Sequence, residues 1–360
     1  MPKIISTGYT VFIENNIAAE INSFLKSANG NYSGIFILVD ENSLRYCYPR
    51  LVEQIDYFKD AELIEIESGE ESKSIEVCAH IWSTLSEFGA DRRSLFVNLG
   101  GGVISDLGGF IASTFKRGIN YINIPTTLLA QVDASIGGKT GIDLNHLKNE
   151  VGVFSTPSAV FIDPAFLQTL DKRQLLSGYA EVIKHALIAD QPSWKKLSRT
   201  KPGLSSLSGE MIASSVEIKN RVVRQDPDEE GIRKVLNFGH TIGHAIESYS
   251  LRLNPSNPLL HGEAIAAGMV CESYLSHKAC GLQESELEEI TGYLLKTFKK
   301  VPLKNMDKKE LTALMKHDKK NEKGGINFSL LSAIGRCEIN NVIKTEVIAE
   351  ALDYYVQKVL

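Results

Sequence analysis

The run Ser94–Asp106, SLFVNLGGGVISD, passes from a short apolar strand pattern through three glycines straight into a helix start. A strand, a glycine turn and a helix in that order make half of a parallel βαβ unit. Working outward, further strand patterns lie at Gly34–Asp40 (GIFILVD), Ala61–Glu67, Ile119–Ile124 and Ala159–Asp163 (AVFID), each followed by turn or helix-start residues. Between them, Ser74–Phe88 spaces Ile75, Cys78, Ile81, Trp82 and Leu85 as one buried helical face. The expected first domain is therefore a Rossmann-like α/β domain on a parallel sheet, spanning residues 1–168. Beyond it the strand-like runs nearly stop, and helical periodicity dominates Gln174–Ala189, Gly209–Arg224, Arg233–Tyr249, Gly262–Ala279 and Ser285–Thr297. A mostly α-helical second domain is expected over 169–360, with two short strands at Ile326–Ser332 and Gly335–Ile339 and a closing helix at Thr345–Leu360. The stretch from Lys201, KPGLSSLSGE, reads as a polar loop or helix start.

Composition fits this plan. A chain of 360 residues with 43% hydrophobic content exceeds what one core usually organises. The formal net charge is −5, and Lys and Arg are scattered, so there is no electrostatic footprint for nucleic acid or an anionic membrane. An anionic ligand must then be held by locally placed cations. Cys47, Cys78, Cys271, Cys280 and Cys337 are odd in number and widely spaced, which argues against a disulfide framework or a Cys-ligated zinc. The first residues lack the pattern of a secretory signal, and the longest apolar stretches are broken by Asp106, Asp133 or Glu272. The expectation is a soluble, cytoplasmic protein.

Five local patterns carry chemistry. Glycines at 100–102 would let a pyrophosphate approach the backbone at a helix N-terminus, although a tight strand-to-helix turn explains the same residues. Asp40 at a strand end, with Asn42 after it, suits ribose hydroxyls or a helix cap equally. The segment Ile124–Asn149 sets Asp133, Lys139, Lys148 and Asn149 among Gly and Thr without alternation, as expected of a loop-rich wall of a polar site. In GYAEVIKHAL, Glu181 and Lys184 lie on a nearly all-apolar helix, where idle charges are costly. NFGHTIGHAIE then places His240 and His244 four apart; with Glu181 and His261 of HGE, these supply enough N and O ligands for zinc.

Together these segments resemble the 3-dehydroquinate synthase family. The matching stretches are GGGVISDLGGF, FKRGINYINIPTTLLAQVDASIGGKTGI, LKNEVGVF, SGYAEVIKHALI, RKVLNFGHTIGHAIE, HGEAIAAGM and HDKKNEKGG, in the family's order from Gly100 to Gly325. VDENS at Val39 and SGEESKS at Ser68 match more loosely, the latter offering Glu70 and Lys73 as cofactor contacts. The resemblance implies an NAD domain and a metal domain with the active site between them, in a homodimer. It implies a zinc ion, or cobalt in its place, on Glu181, His240 and His261, which moves His244 from the metal to the substrate phosphate. By the same matching Lys139, Asn149, Asn237 and one of Lys319 and Lys320 face that phosphate, with Arg117 reaching it from the partner subunit. Lys219 and Arg233 match a carboxylate clamp; Asp133, Lys184 and Glu229 match residues near the hydroxyls undergoing redox chemistry. Gly101, Gly102, Val103, Asp106, Thr126, Thr127, Lys148, Thr169 and Leu170 match the NAD wall.

The implied reaction oxidises a ring hydroxyl of a seven-carbon acid phosphate with NAD, eliminates phosphate, returns the hydride, and closes a carbocycle by an internal aldol step. Ser105, Leu147 and Gln174 depart from the family pattern, and none of them is a group named in the chemistry. Two other classes share the plan: a sugar-phosphate cyclase whose substrate lacks a carboxylate, and a metal-dependent alcohol dehydrogenase of the glycerol dehydrogenase type.

Overall fold

The computed structural model describes residues 3–27, 32–144, 147–200, 203, 207–303, 306–317 and 325–359. The chain divides into two compact units, Met1–Asp171 with Leu207–Asn220, and Lys172–Ser206 with Arg221–Leu360. A single boundary after residue 168 thus misses the return of Leu207–Asn220 to the first unit.

The first unit is built on strands β1 (Lys3–Ile5), β2 (Thr10–Ile13), β3 (Ile35–Asp40), β4 (Glu62–Ile66), β5 (Leu95–Gly100), β6 (Asn120–Pro125) and β9 (Ala159–Ile162). They form one seven-stranded sheet in the order β1-β2-β9-β6-β5-β3-β4. Every pairing is parallel except β1 with β2. Side chains alternate strictly between two cores, as a strand buried on both faces requires. Ile37 and Val39 of β3 and Leu95, Val97 and Leu99 of β5 pack on one face with α1 (Ala18–Ser27). Phe36, Leu38 and Phe96 pack on the other with α4 (Ile75–Glu87) and α5 (Gly102–Thr114). Two short helices, α2 (Glu41–Tyr46) and α3 (Tyr48–Val52), follow β3.

Two departures from the sequence reading occur here. β1 and β2 were not expected: each is only a few residues long, and β2 is fixed by its pairing with β9, far along the chain. The supposed loop-rich wall is instead a five-residue π-helical turn, Ala130–Ala134, followed by a hairpin of β7 (Lys139–Leu144) and β8 (Leu147–Phe154). Its strands come together through Gly141 opposite Gly152, where an added Cβ would stand 2.7 Å and 2.4 Å from facing carbonyl oxygens. Glycine at those positions hides the alternation that would have marked strands.

The second unit holds α6 (Lys172–Ala189), α7 (Gln191–Leu197), α9 (His240–Leu253), α10 (His261–Ala279), α11 (Glu284–Thr297), α12 (Lys308–His317) and α13 (Thr345–Val359), with a hairpin of β10 (Ile326–Ala333) and β11 (Arg336–Ile343). Helix α8 (Gly209–Gln225) lies mostly in the first unit and ends in the second. In α10 every residue from Gly262 to Ser273 is buried, which makes it the central helix of this unit. The single helix expected over Arg233–Tyr249 is broken: residues Ile232–Asn237 form a 3-10 segment, and α9 starts only after Gly239 at φ +80°. The break is imposed by packing. A Cβ at Gly239 would meet Met269 Cγ at 2.4 Å, and one at Gly268 would meet the Gly239 carbonyl oxygen at 2.1 Å, so α9 crosses α10 at near-backbone contact. Among the described residues, no helix is long and apolar enough to cross a membrane.

Candidate functional site

In the first unit the glycine turn serves packing first. A Cβ at Gly100 would lie 2.4 Å from Ile104, so this glycine lets β5 run into α5 at close quarters. The N-cap of α5 is Gly101, which has no side chain to satisfy the first helical N–H groups, and Ser105 turns its hydroxyl back to the Gly101 carbonyl at 3.2 Å. These orphan donors suit an anionic group such as a pyrophosphate. Val103 stands half-buried beside them. Thr126 donates its N–H to the Gly100 carbonyl at 2.9 Å, and Thr127 accepts from the Ala130 N–H at 3.2 Å, so both shape the same turn. Asp40 spends one oxygen on helix capping, accepting the Ser43 N–H at 2.7 Å, while Asn42 is exposed on α2. Thr169 and Leu170 close a 3-10 segment near the end of the unit's first stretch.

Lys73 organises much of what remains. Its buried ammonium lies 2.7 Å from Asp106, also donates to Asn149, and stands 4.0 Å from both Glu70 and Asp143. Lys148 pairs with Glu70 at 3.2 Å. Burial alone would lower the Lys73 pKa, but the charges of Asp106, Glu70 and Asp143 raise it. Three carboxylates thus face two ammonium groups, and the burial of Asp143 pushes its pKa up to about 6. In the same unit Lys219 of α8 donates to the Asp133 carboxylate and carbonyl, both at 2.7 Å. Lys139 opens β7 and is exposed. Arg117, also exposed, sits in a left-handed turn with Lys116 at φ +49°, Arg117 at +71° and Gly118 at +109°. Two consecutive non-glycine residues there are strained backbone, a feature found where function demands a set side-chain direction.

In the second unit Glu181, His240 and His261 converge: one donor atom from each lies within 4.8 Å of the others. His240 Nε2 and His261 Nε2 both stand 3.5 Å from Glu181 Oε1. Donors bound tetrahedrally to one ion at about 2.0–2.1 Å lie about 3.3 Å from each other, so the spacing fits a small cation. The other ring nitrogens are engaged, His240 Nδ1 with the Phe238 carbonyl at 3.1 Å and His261 Nδ1 with Glu247 Oε2 at 3.2 Å. That arrangement fixes the tautomer and leaves Nε2 as the ligand atom. Burial and the Lys184 charge hold His240 well below the usual histidine range, in the neutral form a metal needs. Burial opposes ionisation of His261, but Glu247 and Glu181 carry it up to about 10, so an ion taking this site displaces a proton. Lys184 contacts the second oxygen of Glu181.

His244 lies one turn beyond His240, with ring centroids 5.0 Å apart, and groups with Glu247 and His261 instead of Glu181. Asn237 donates to Glu229 at 2.8 Å. Arg233 is buried, donates to the Pro227 carbonyl, and has its own N–H held by Asp226 at 2.9 Å. Lys219 and Arg233, the expected carboxylate clamp, belong to different units. Lys319 and Lys320 lie outside the described residues.

Several supporting groups show their partners only in the fold. Glu247 sits within NFGHTIGHAIE, yet only the fold brings it to His261. Glu263 of HGE caps its own helix at the Leu260 N–H (2.9 Å) and is gripped by Arg173 of α6 through two bonds of 2.8 and 2.7 Å. Glu272, noticed only as a charge in an apolar run, reaches the first turn of α9.

Comparison with known proteins follows the same lines. A family model described as the 3-dehydroquinate synthase N-terminal domain matches residues 63–177, and one described as its C-terminal domain matches 178–321. A 3-dehydroquinate synthase of Parabacteroides distasonis is 48% identical over 347 residues, which is 96% of this chain and 97% of the relative. Among solved structures, 2-epi-5-epi-valiolone synthase from Streptomyces hygroscopicus, with NAD+ and Zn2+ bound, superposes with a TM-score of 0.84 at 27% identity over 99% of both chains. A 2-deoxy-scyllo-inosose synthase complexed with carbaglucose-6-phosphate, NAD+ and Co2+ shares the fold at TM-score 0.84 and 22% identity, covering 98% of this chain and 99% of its own.

Proposed function

Because this chain belongs to the 3-dehydroquinate synthase family, we propose that it converts 3-deoxy-D-arabino-heptulosonate 7-phosphate to 3-dehydroquinate and phosphate, as a carbon–oxygen lyase of the shikimate route to aromatic amino acids. The observation that carries the reading is the convergence of Glu181, His240 and His261 with both outer ring nitrogens engaged. Bound together, NAD and zinc (or cobalt) supply hydride transfer and Lewis acidity toward the alcohol being oxidised.

The chain's own residues do the rest. Glu181, His240 and His261 hold the ion; the uncapped start of α5 with Gly101, Gly102 and Val103 receives the pyrophosphate, and Asp40 keeps an oxygen for a ribose hydroxyl. Lys73, Asp106, Glu70 and Lys148, locked in one charge cluster, set the rigid wall of that cofactor site, completed by Asn42, Thr126, Thr127, Thr169 and Leu170. Lys139, Asn149, Asn237 and His244 take the substrate phosphate, where donors to a leaving dianion count most. Lys219 and Arg233 take the carboxylate, and Asp133, Lys184 and Glu229 orient the hydroxyls. The departing phosphate accepts the proton released at the neighbouring carbon, so no separate protein base is required. The protein works in the cytoplasm as a homodimer in which Arg117 serves the partner's site.

The test is a single incubation of purified protein with that heptulosonate phosphate, catalytic NAD and zinc. Phosphate and dehydroquinate should appear in equal amounts and only with NAD present, while NADH does not accumulate. Stoichiometric NADH without phosphate release would mean a simple dehydrogenase, and efficient turnover of sedoheptulose 7-phosphate would mean a cyclase that ignores the carboxylate.

A further inference from the structure

Both histidines of the candidate ion site are the first residue of a helix, His240 of α9 and His261 of α10. A helix start carries N–H groups with no intrahelical partner, and a loose first turn frays. At α10 the problem is solved locally by Glu263, which caps its own Leu260 N–H. At α9 it cannot be, because the N-cap is Gly239, left-handed and without a side chain. The missing acceptor comes from across the helix pair. Glu272, fully buried in α10, accepts the Gly239 N–H through Oε2 at 2.6 Å and the Ile242 N–H through Oε1 at 3.0 Å. Its two oxygens therefore bracket His240, one residue before it and two after.

A buried carboxylate is expensive to keep unless every lone pair is used well, and an apolar side chain would fill this space at lower cost. Eleven residues upstream, the same helix presents His261. One rigid element thus carries one histidine directly and grips the turn that carries the other. We propose that Glu272 is a positioning residue for the ion site: it fixes the first turn of α9 against α10 and so sets the His240 imidazole relative to His261 and Glu181. The proposal rests on those three residues holding a metal ion, and it concerns this chain's own carboxylate, which touches no ligand itself.

The experiment compares Glu272→Gln, Glu272→Asp and His240→Ala with the wild type by zinc titration, by the visible spectrum of the cobalt-loaded protein, and by thermal melting of the apo form. Gln keeps the shape but turns an NH2 toward a backbone N–H. Glu272→Gln should bind zinc about 10- to 100-fold more weakly, the scale for groups that orient ligands, and shift the cobalt bands. Glu272→Asp, with its carboxyl group retained, should recover part of both; it also stands in should the Gln variant fail to fold. Wild-type zinc affinity and an unshifted cobalt spectrum in Glu272→Gln overturn the proposal, even if that variant melts earlier. Were His240→Ala to bind zinc like the wild type, the ion site itself would be wrong, a result separate from any outcome at Glu272.

Discussion

His240 and His244 look equivalent by spacing, yet only His240 points its Nε2 at the Glu181 oxygen, whereas His244 groups with Glu247 and His261. The two should therefore fail differently. His240→Ala should purify metal-poor and respond little to added zinc, since one of three protein ligands is gone. His244→Ala should keep close to one metal per chain and lose turnover through a missing bond to phosphate. Elemental analysis of both decides; metal lost from His244→Ala and kept by His240→Ala would redraw the ligand set. Asp143 gives a second test at this scale. Its folded pKa, about 6, lies above the usual aspartate value, so the folded state binds the extra proton. Its contribution to stability is full below about pH 4 and is lost as pH rises through about 6. Asp143→Asn retains an acceptor for the Asn149 N–H and removes the ionisation. Melting temperatures of variant and wild type should diverge in the variant's favour between pH 4 and 7, and parallel curves would show that Lys73 neutralises Asp143 fully.

The crossing of α9 and α10 is the element on which the proposed ion site depends. Gly268→Ala would drive a methyl group to 2.1 Å from the Gly239 carbonyl and 2.7 Å from the Gly243 nitrogen. It should cost about 1–3 kcal/mol or more in urea unfolding and lower zinc occupancy. Gly292→Ala in α11, where a Cβ meets nothing within 4 Å, should be neutral or stabilise by up to about 1 kcal/mol. Equal effects at the two positions would contradict the close crossing. The same contrast explains what the sequence disclosed. β3, β5 and β6 and the helices α4, α6, α10 and α11 were legible because each advertises its own period. The break at Gly239 was not, since NFGHTIGH carries a helical pattern and the kink comes from Met269 on another helix. Likewise Glu181, His240 and His261 could be picked out as a matching set, while Glu272 and Glu247 needed the fold to show their partners. One signal did exist: Asp106, Asp133 and Glu272, the charges that interrupt apolar runs, meet Lys73, Lys219 and the start of α9 respectively.

At the scale of the proposed homodimer, the left-handed turn at Lys116–Gly118 makes Arg117 the residue to test for a shared site. Arg117→Asn keeps a side chain that tolerates this backbone and should abolish turnover. Mixing it with His240→Ala under conditions of subunit exchange should restore about a quarter of wild-type activity, because random pairing in a twofold dimer leaves one complete site in each hybrid. No recovery, with both parents dimeric, would remove Arg117 from the partner's site. The return of Leu207–Asn220 to the first unit has a consequence of another kind, in the order of synthesis. When residue 171 leaves the ribosome the seven strands are all present, yet Asp133 still lacks Lys219, its cation at 2.7 Å. At ~5–20 residues per second, the nascent sheet waits roughly 2.5–10 s for α8. During that wait the first unit is unfinished while α6, which belongs to the second, has already emerged. Translation paused just before residue 207 should therefore leave a chain open to protease, and one paused after α8 has cleared the exit tunnel should resist.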